Sequence, residues 1–222
     1  MLLYELRKKV LDTALSLPSY GLVWLAGGTV SARDPETNLV CTTPSGLDYR
    51  TLSAEDICVT DIDEKIVDSK YRPSVALTLW TNFFRNRPDV NAVVHTHSHA
   101  ATAFAVTGQE MPIITETQAN WFNRPIPITP YLSVEDPRFD MLPVELTADG
   151  FAVMLGQHGV ITLGSNLDHA LERAVTLEEA AKTYAYAKIF GTPRTLPPEV
   201  VRRSFDYYHN RYGQNADTEG EK

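Results

Sequence analysis

Two segments of the chain have residue types and spacing that suit metal coordination. The first is Val93-Val94-His95-Thr96-His97-Ser98-His99, followed by small helix-forming residues. The apolar run from Asn91 to Thr96 reads as a buried strand entered from a turn. Side chains two apart on a strand share a face, so His95 and His97 project together, about 7 Å apart at the backbone. That suits two nitrogen ligands on one divalent cation. His99 falls beyond the strand, where Ser98 is placed to cap the next helix, and it is not counted as a ligand. The plainer alternative makes one histidine a core hydrogen-bonding residue and the other a capping residue.

The second segment runs from Phe151 to Gly164 and reads as strand, polar break, strand, with the break at Gln157-His158. His158 sits at a strand end beside Gly159, where a glycine permits close approach or an unusual backbone angle. Three imidazoles with an open fourth position match a catalytic zinc site rather than a closed structural one. Imidazole also suits other transition metals, so Mn2+ and Co2+ stay open beside Zn2+. No Cys-x-x-Cys is present. No Gly-x-Ser-x-Gly marks a nucleophilic hydrolase, and neither Cys41 nor Cys58 has an obvious basic neighbour.

The elements that must position these histidines follow from patterning. Leu2 to Leu17 is an amphipathic helix, broken at Pro18 to Gly21. Gly27-Gly28-Thr29 leads into a strand ending near Arg33. Its backbone amides are an anion-site candidate, though such a glycine pair is usually just a turn. Asn38 to Thr43 is the partner strand, closed by Thr43-Pro44-Ser45-Gly46. Ile57 to Thr60 and Lys65 to Val67 form a hairpin. Val75 to Arg87 is a helix with Ser74 as N-cap. After the His-x-His strand come a helix from Ser98 to Val106, a short strand at Ile113 to Thr115, and an irregular excursion from Glu116 to Asp140. Long excursions of that kind carry function or an interface. Leu142 to Ala148 is a short helix, Asn166 caps the longest helix (Leu167 to Phe190), and a last helix runs from Pro198 to Tyr208.

The chain of 222 residues has 20 Lys plus Arg against 28 Asp plus Glu, a net charge of −8. That balance argues against bulk nucleic-acid or anionic-membrane binding. No run is long enough to span a membrane, the N-terminus does not read as a signal peptide, and both cysteines read as buried thiols. A reducing, cytoplasmic setting is expected. Residues 1–214 are expected to form a single domain and 215–222 a disordered tail.

Taken together, Gly28-Thr29-Val30-Ser31, Thr43-Pro44-Ser45-Gly46, Arg72-Pro73-Ser74, Val94-His95-Thr96-His97, Gln157-His158-Gly159 and Tyr212-Gly213-Gln214 resemble the class II aldolase/adducin family. Within it they match the ribulose-phosphate 4-epimerase and fuculose-phosphate aldolase branch. The resemblance implies a three-layer α/β/α fold around a mainly antiparallel sheet, and a homotetramer with active sites between subunits. It implies metal held by His95, His97 and His158, and a keto-sugar phosphate cleaved through a metal-stabilised enediolate. Thr29, Ser45, Gly46 and Ser74 fall at the substrate and phosphate positions. Tyr212 matches the tyrosine that the branch contributes from its C-terminal tail.

The departures from the pattern are specific. Thr29 replaces an Asn, Val75-Ala76 stands where the family has Ser followed by Glu or Asp, and Asn120 replaces an Asp. Ala76 cannot move a proton, which leaves Glu116 as the nearest ionisable candidate by sequence, with Asn120 able only to hydrogen-bond. The alternative for Glu116 is a plain surface carboxylate. Three functions compete: a lyase or 4-epimerase, a metal-dependent decarboxylase of a small keto-acid, and a non-catalytic member like the adducin head. Such heads lack the metal histidines, whereas this chain keeps all three.

Overall fold

A computed structural model describes residues 1–25 and 27–213. Its centre is a sheet of β1 (Thr29–Arg33), β2 (Val40–Thr42), β3 (Cys58–Thr60), β4 (Ile66–Asp68), β5 (Ala92–Thr96), β6 (Ala152–Leu155) and β7 (Gly159–Gly164). The order among the described residues is β4-β3-β2-β1-β5-β7-β6, and every pairing is antiparallel. Most positions of these strands are buried, which explains their near-continuous apolar character.

Strand alternation sorts the core into two layers. On one face, Val40, Val93, Val153, Leu155, Ile161 and Leu163 pack under α2 (Leu77–Asn86) and α5 (Leu142–Leu146) through Leu79, Trp80, Phe83 and Val144. On the other face, Val30, Ala32, Cys41, Val59 and Val94 meet α1 (Tyr4–Ser16) and α6 (Leu167–Phe190). The same face continues through Met154 and Val160 to α3 (His99–Val106), α4 (Glu116–Trp121) and α7 (Pro198–Arg211). Fully burying side chains of the Leu or Phe class contributes about 1.5–3 kcal/mol each. The result is the expected α/β/α sandwich.

Local differences from the sequence reading have identifiable causes. α2 starts at Leu77 with Ala76 as its N-cap, not at Val75; the Ser74 hydroxyl accepts from Ala76 N and Trp80 Nε1 instead of capping a longer helix. Ile113 to Thr115 is not a strand. Met111 bridges Ile126 instead, and the Gln118 side chain takes Ile114 N at 2.9 Å and donates to Pro112 O. The excursion opens with α4, capped by Thr115 Oγ1 accepting from Gln118 N at 3.2 Å. Ser98 precedes α3 but makes no capping bond. Glu178 of α6 does that work across the fold, its carboxylate accepting from Ala100 N at 3.1 Å and Ala101 N at 2.9 Å. A carboxylate at a helix N-terminus is favoured by charge as well as by hydrogen bonding. Asn166 caps α6 as expected, accepting from His169 N at 2.9 Å. The expected tail, 215–222, lies outside the described residues, as does Gln214.

Candidate metal and substrate site

β5 ends at Thr96, so His95 within it and His97 just past its end reach one rim of the sheet. β6 and β7 pair Leu155 with Gly159, and the Gly156-Gln157-His158 turn between them brings the third imidazole to the same rim. Gln157 takes a left-handed φ of 57°. For a residue with a side chain that costs of order 1–2 kcal/mol, which the flanking ladder absorbs. The ring centroids lie 4.8 Å apart for His95–His97, 5.1 Å for His95–His158 and 5.0 Å for His97–His158. One ligating atom from each can be chosen so that all three lie within 4.8 Å of one another.

The close approach depends on glycine. A Cβ on Gly159 would lie 2.5 Å from the Thr96 carbonyl oxygen and 2.7 Å from His97 Cδ2. A Cβ on Gly28 would lie 2.7 Å from the His95 carbonyl oxygen. The Tyr49 hydroxyl donates to Gly28 O at 2.5 Å and ties the glycine loop down from below. Gly159→Ala is therefore expected to destabilise the fold by about 1–3 kcal/mol, the range for forced overpacking, and to lower metal content. Thermal denaturation together with metal analysis checks both.

The donor set fits a divalent transition metal. His95 Nδ1 lies 2.9 Å from Val160 O. A carbonyl only accepts, so Nδ1 carries the hydrogen and Nε2 presents a lone pair. That Nε2 lies 3.1 Å from His97 Nε2; two nitrogens on one tetrahedral zinc at about 2.0–2.1 Å stand about 3.3 Å apart. Burial holds His95 well below the ordinary imidazole range, reinforced by His97 and then His158. Burial also lowers His97, and burial followed by His97 lowers His158. The imidazoles are thus held neutral, the form that ligates.

The histidines open into a cavity of about 210 Å3. Thr29, Ser45, Gly46 and Ser74 line it, so the structure brings the loop residues singled out in the sequence together with all three histidines. Its other wall is apolar: Val75, Ala76, Trp80, Val134, Phe139 and Leu155. The sequence reading had not singled out Trp80, Val134 or Phe139. The last two come from the excursion from Glu116 to Asp140, whose length and irregularity marked it as a segment that carries function or an interface without pointing to these two residues.

Glu116, Asn120 and Tyr212 do not line this cavity. Glu116 opens α4, exposed in a groove against Arg203, Tyr207 and Arg211 of α7. Asn120 sits half-buried one turn later. Tyr212 follows α7, 56% exposed and stacked on Tyr208 at 5.1 Å. α4 packs on the face of the sheet opposite to Trp80, so the sheet separates this group from the cavity of the same chain. Trp121 and Phe122, whose place in a loop suggests an exposed contact, are core residues instead.

This fold and this histidine-rimmed cavity define the class. The sequence profile of the Class II Aldolase and Adducin N-terminal domain matches residues 8–185, and the chain belongs to the class II aldolase/adducin family. It is 34% identical over 223 aligned positions to the L-ribulose-5-phosphate 4-epimerase UlaF of Salmonella paratyphi B, covering 96% of this chain and 97% of that one. A solved L-fuculose 1-phosphate aldolase superposes with a TM-score of 0.88 at 25% identity, covering 92% of this chain and 96% of the other. YgbL of Escherichia coli superposes with a TM-score of 0.80 at 26% identity, covering 91% and 98%.

Proposed function

We propose that the protein is a divalent-metal-dependent carbon–carbon lyase or 4-epimerase acting on a small phosphorylated keto-sugar. The observation that carries this is one cavity joining three converging neutral imidazoles to a wall of Thr29, Ser45 and Gly46. Two of the relatives named above, the 4-epimerase and the L-fuculose 1-phosphate aldolase, act on keto-sugar phosphates by their names. His95, His97 and His158 would hold the cation, Zn2+ or alternatively Mn2+ or Co2+. Bound there, it supplies Lewis acidity toward the carbonyl and hydroxyl oxygens of the substrate.

The chain's own residues bind, orient and move protons. The Thr29–Ser45–Gly46 wall takes the phosphoryl group, which sets the bond to be broken against the histidines. The apolar wall of Trp80, Phe139 and Leu155 excludes water. A proton must leave the hydroxyl on the carbon that is cleaved, and one must return when the bond re-forms or the product leaves. None of the described cavity-lining residues is Asp, Glu, Lys, Arg, Tyr or Cys. We assign that proton traffic to Glu116 and Tyr212 of a partner subunit, with Asn120 beside them as a hydrogen-bonding group. That makes the working form a homo-oligomer, a tetramer by the family pattern, and we assign it to the cytoplasm. Among the described residues no helix is long and apolar enough to cross a membrane.

The test is incubation of metal-loaded protein with L-ribulose 5-phosphate and with L-fuculose 1-phosphate. A 4-epimerase inverts C4 of the first without net cleavage. An aldolase releases a triose phosphate and an aldehyde. No turnover of either phosphate ester would overturn the proposal. One observation favours a second reading, decarboxylation of a small keto-acid: no carboxylate, lysine, tyrosine or cysteine is among the described residues lining the cavity of a single chain, and loss of CO2 removes no hydroxyl proton. Release of CO2 from a keto-acid, with both sugar phosphates inert, is the outcome that selects it.

A further inference from the structure

Of the three histidines, His97 is the one whose aim is not set by a hydrogen bond to a fixed group. His95 is held by Nδ1 on Val160 O at 2.9 Å. Among the described residues, the His97 ring has a single polar contact, His95 Nε2 at 3.1 Å. Metal-ligating imidazoles are ordinarily aimed by a hydrogen bond from the second ring nitrogen. The aim of His97 therefore rests on its backbone and on the space left by Gly159. That backbone is held on both sides. Before it, Thr96 pairs with Val160 in the β5–β7 ladder. After it, α3 starts at His99, and its first turn is held from α6. Glu178 Oε1 accepts from Ala100 N at 3.1 Å, and Oε2 accepts from Ala101 N at 2.9 Å. Only His97, Ser98 and His99 separate the two anchors. Ser98 makes no capping bond of its own. Glu178 is 2% exposed, and the one cation near it is Lys182, with Nζ at 3.6 Å. An anion suits that end of a helix by its hydrogen bonds and by the helix dipole.

We infer that Glu178 is a positioning residue for the histidine site: by holding the first turn of α3 from α6, it fixes the backbone that aims His97. The effect on metal binding rests on the histidine site proposed above; the hold on α3 does not. Glu178 is not among the described residues lining the cavity, so it acts through α3 alone. Glu178→Gln keeps the shape of the side chain but turns one oxygen into an NH2 group, which only donates. One of the two α3 amides then loses its acceptor and faces another donor. His95 is aimed by Val160 O and keeps its place. The disturbance is therefore selective within the three histidines, and it falls on His97.

Three full-length proteins are compared at a temperature where all are folded: the parent, Glu178→Gln and Lys182→Met. Lys182→Met removes the charge partner of the carboxylate and leaves both amide bonds. Co2+ affinity is expected to fall about 10–100-fold in Glu178→Gln, the range for residues that orient metal ligands, and to stay at the parent's level in Lys182→Met. In metal-free protein, the imidazole NMR signals of His97 are expected to move in Glu178→Gln while those of His95 hold. A lower melting temperature with parent-like Co2+ affinity makes Glu178 a structural cap only and overturns the inference. Equal displacement of His95 and His97 overturns it too, because α3 is then not what carries the change. Should Glu178→Gln fail to fold, the parent alone supplies the test. Coupling is reciprocal, so Co2+ is expected to slow exchange of the Ala100 and Ala101 amides more than that of the α1 amides, and equal slowing overturns the inference. If the parent takes up no Co2+, the histidine metal site falls while the His97 signals still test Glu178: displaced in Glu178→Gln they uphold its role, unmoved they overturn it.

Discussion

His97→Ala is expected to lose most of its bound metal while remaining folded. His97 is the informative choice among the three. His95 is buried, bonded to Val160 O and set against Trp80, so truncating it also leaves a hole in the core. His158 sits on a turn that already carries the left-handed Gln157. His97 is half-buried, and among the described residues its ring makes one polar contact, with His95 Nε2. Its removal deletes a ligand and little else. Three ligands reduced to two changes the affinity of the site, and that change is read in stability. A ligand that binds only the folded state adds about 4 kcal/mol when present at a thousand times its dissociation constant. Metal-loaded parent protein is therefore expected to melt well above its chelated form, and His97→Ala to melt with the chelated parent whether or not metal is added. Mass-spectrometric metal analysis and thermal denaturation with and without chelator measure the two halves. Stoichiometric metal retained by His97→Ala would remove His97 from the site.

The histidine pair was legible because strand geometry is simple. Two positions apart on a strand means one face, and β5 is a strand through Thr96. His158 was legible as a strand-end residue beside a glycine, and that glycine proves to be the space into which His97 packs. The layered fold followed from the family pattern, and its two faces can be read from strand alternation once the register is known. What the sequence hid is side-chain chemistry between elements far apart in the chain. Nothing local marks Glu178 as the residue that caps α3 from α6. Nothing local shows that Ser74 exchanges a capping role for bonds to Trp80 and Thr29, which shortens α2 at its start. The Glu116 to Asp140 excursion was read as irregular because its prolines and aromatics lack a period. Six of its residues still close into α4, through the Thr115 cap. Trp121 and Phe122 were legible as apolar but not as buried, since burial depends on α6 and α7, which come later in the chain.

Mixing two inactive variants is expected to restore activity, and this bears on the placement of Glu116, Asn120 and Tyr212. Glu116 and Asn120 lie on α4 and Tyr212 just past α7, while the metal cavity opens at the sheet rim with its apolar wall (Ala76, Trp80, Phe139 and Leu155) on the opposite face. A carboxylate that serves the cavity must then reach it from another copy of the chain. Glu116→Gln is expected to cut turnover about 10²–10⁴-fold with metal content unchanged, as for loss of a general acid or base. His97→Ala is expected to be inactive for lack of metal. In a mixed assembly, a Glu116→Gln chain offers an intact metal site, and a His97→Ala neighbour offers an intact Glu116. If each site of a closed ring takes its metal from one chain and its acid from the next, an equal random mixture rebuilds about a quarter of the sites. Activity near that fraction places Glu116 in the site of a neighbouring copy. A mixture as inactive as either variant, or a monomer by light scattering at micromolar concentration, sinks the shared site. If Glu116→Gln alone is as active as the parent, Glu116 is a surface carboxylate and Tyr212→Phe becomes the variant to test. Ala76→Asp then carries its own weight, because it puts a carboxylate inside the cavity where the family pattern has an acid. If a shared acid limits this chain, that substitution is expected to raise lyase or epimerase turnover even in the Glu116→Gln background.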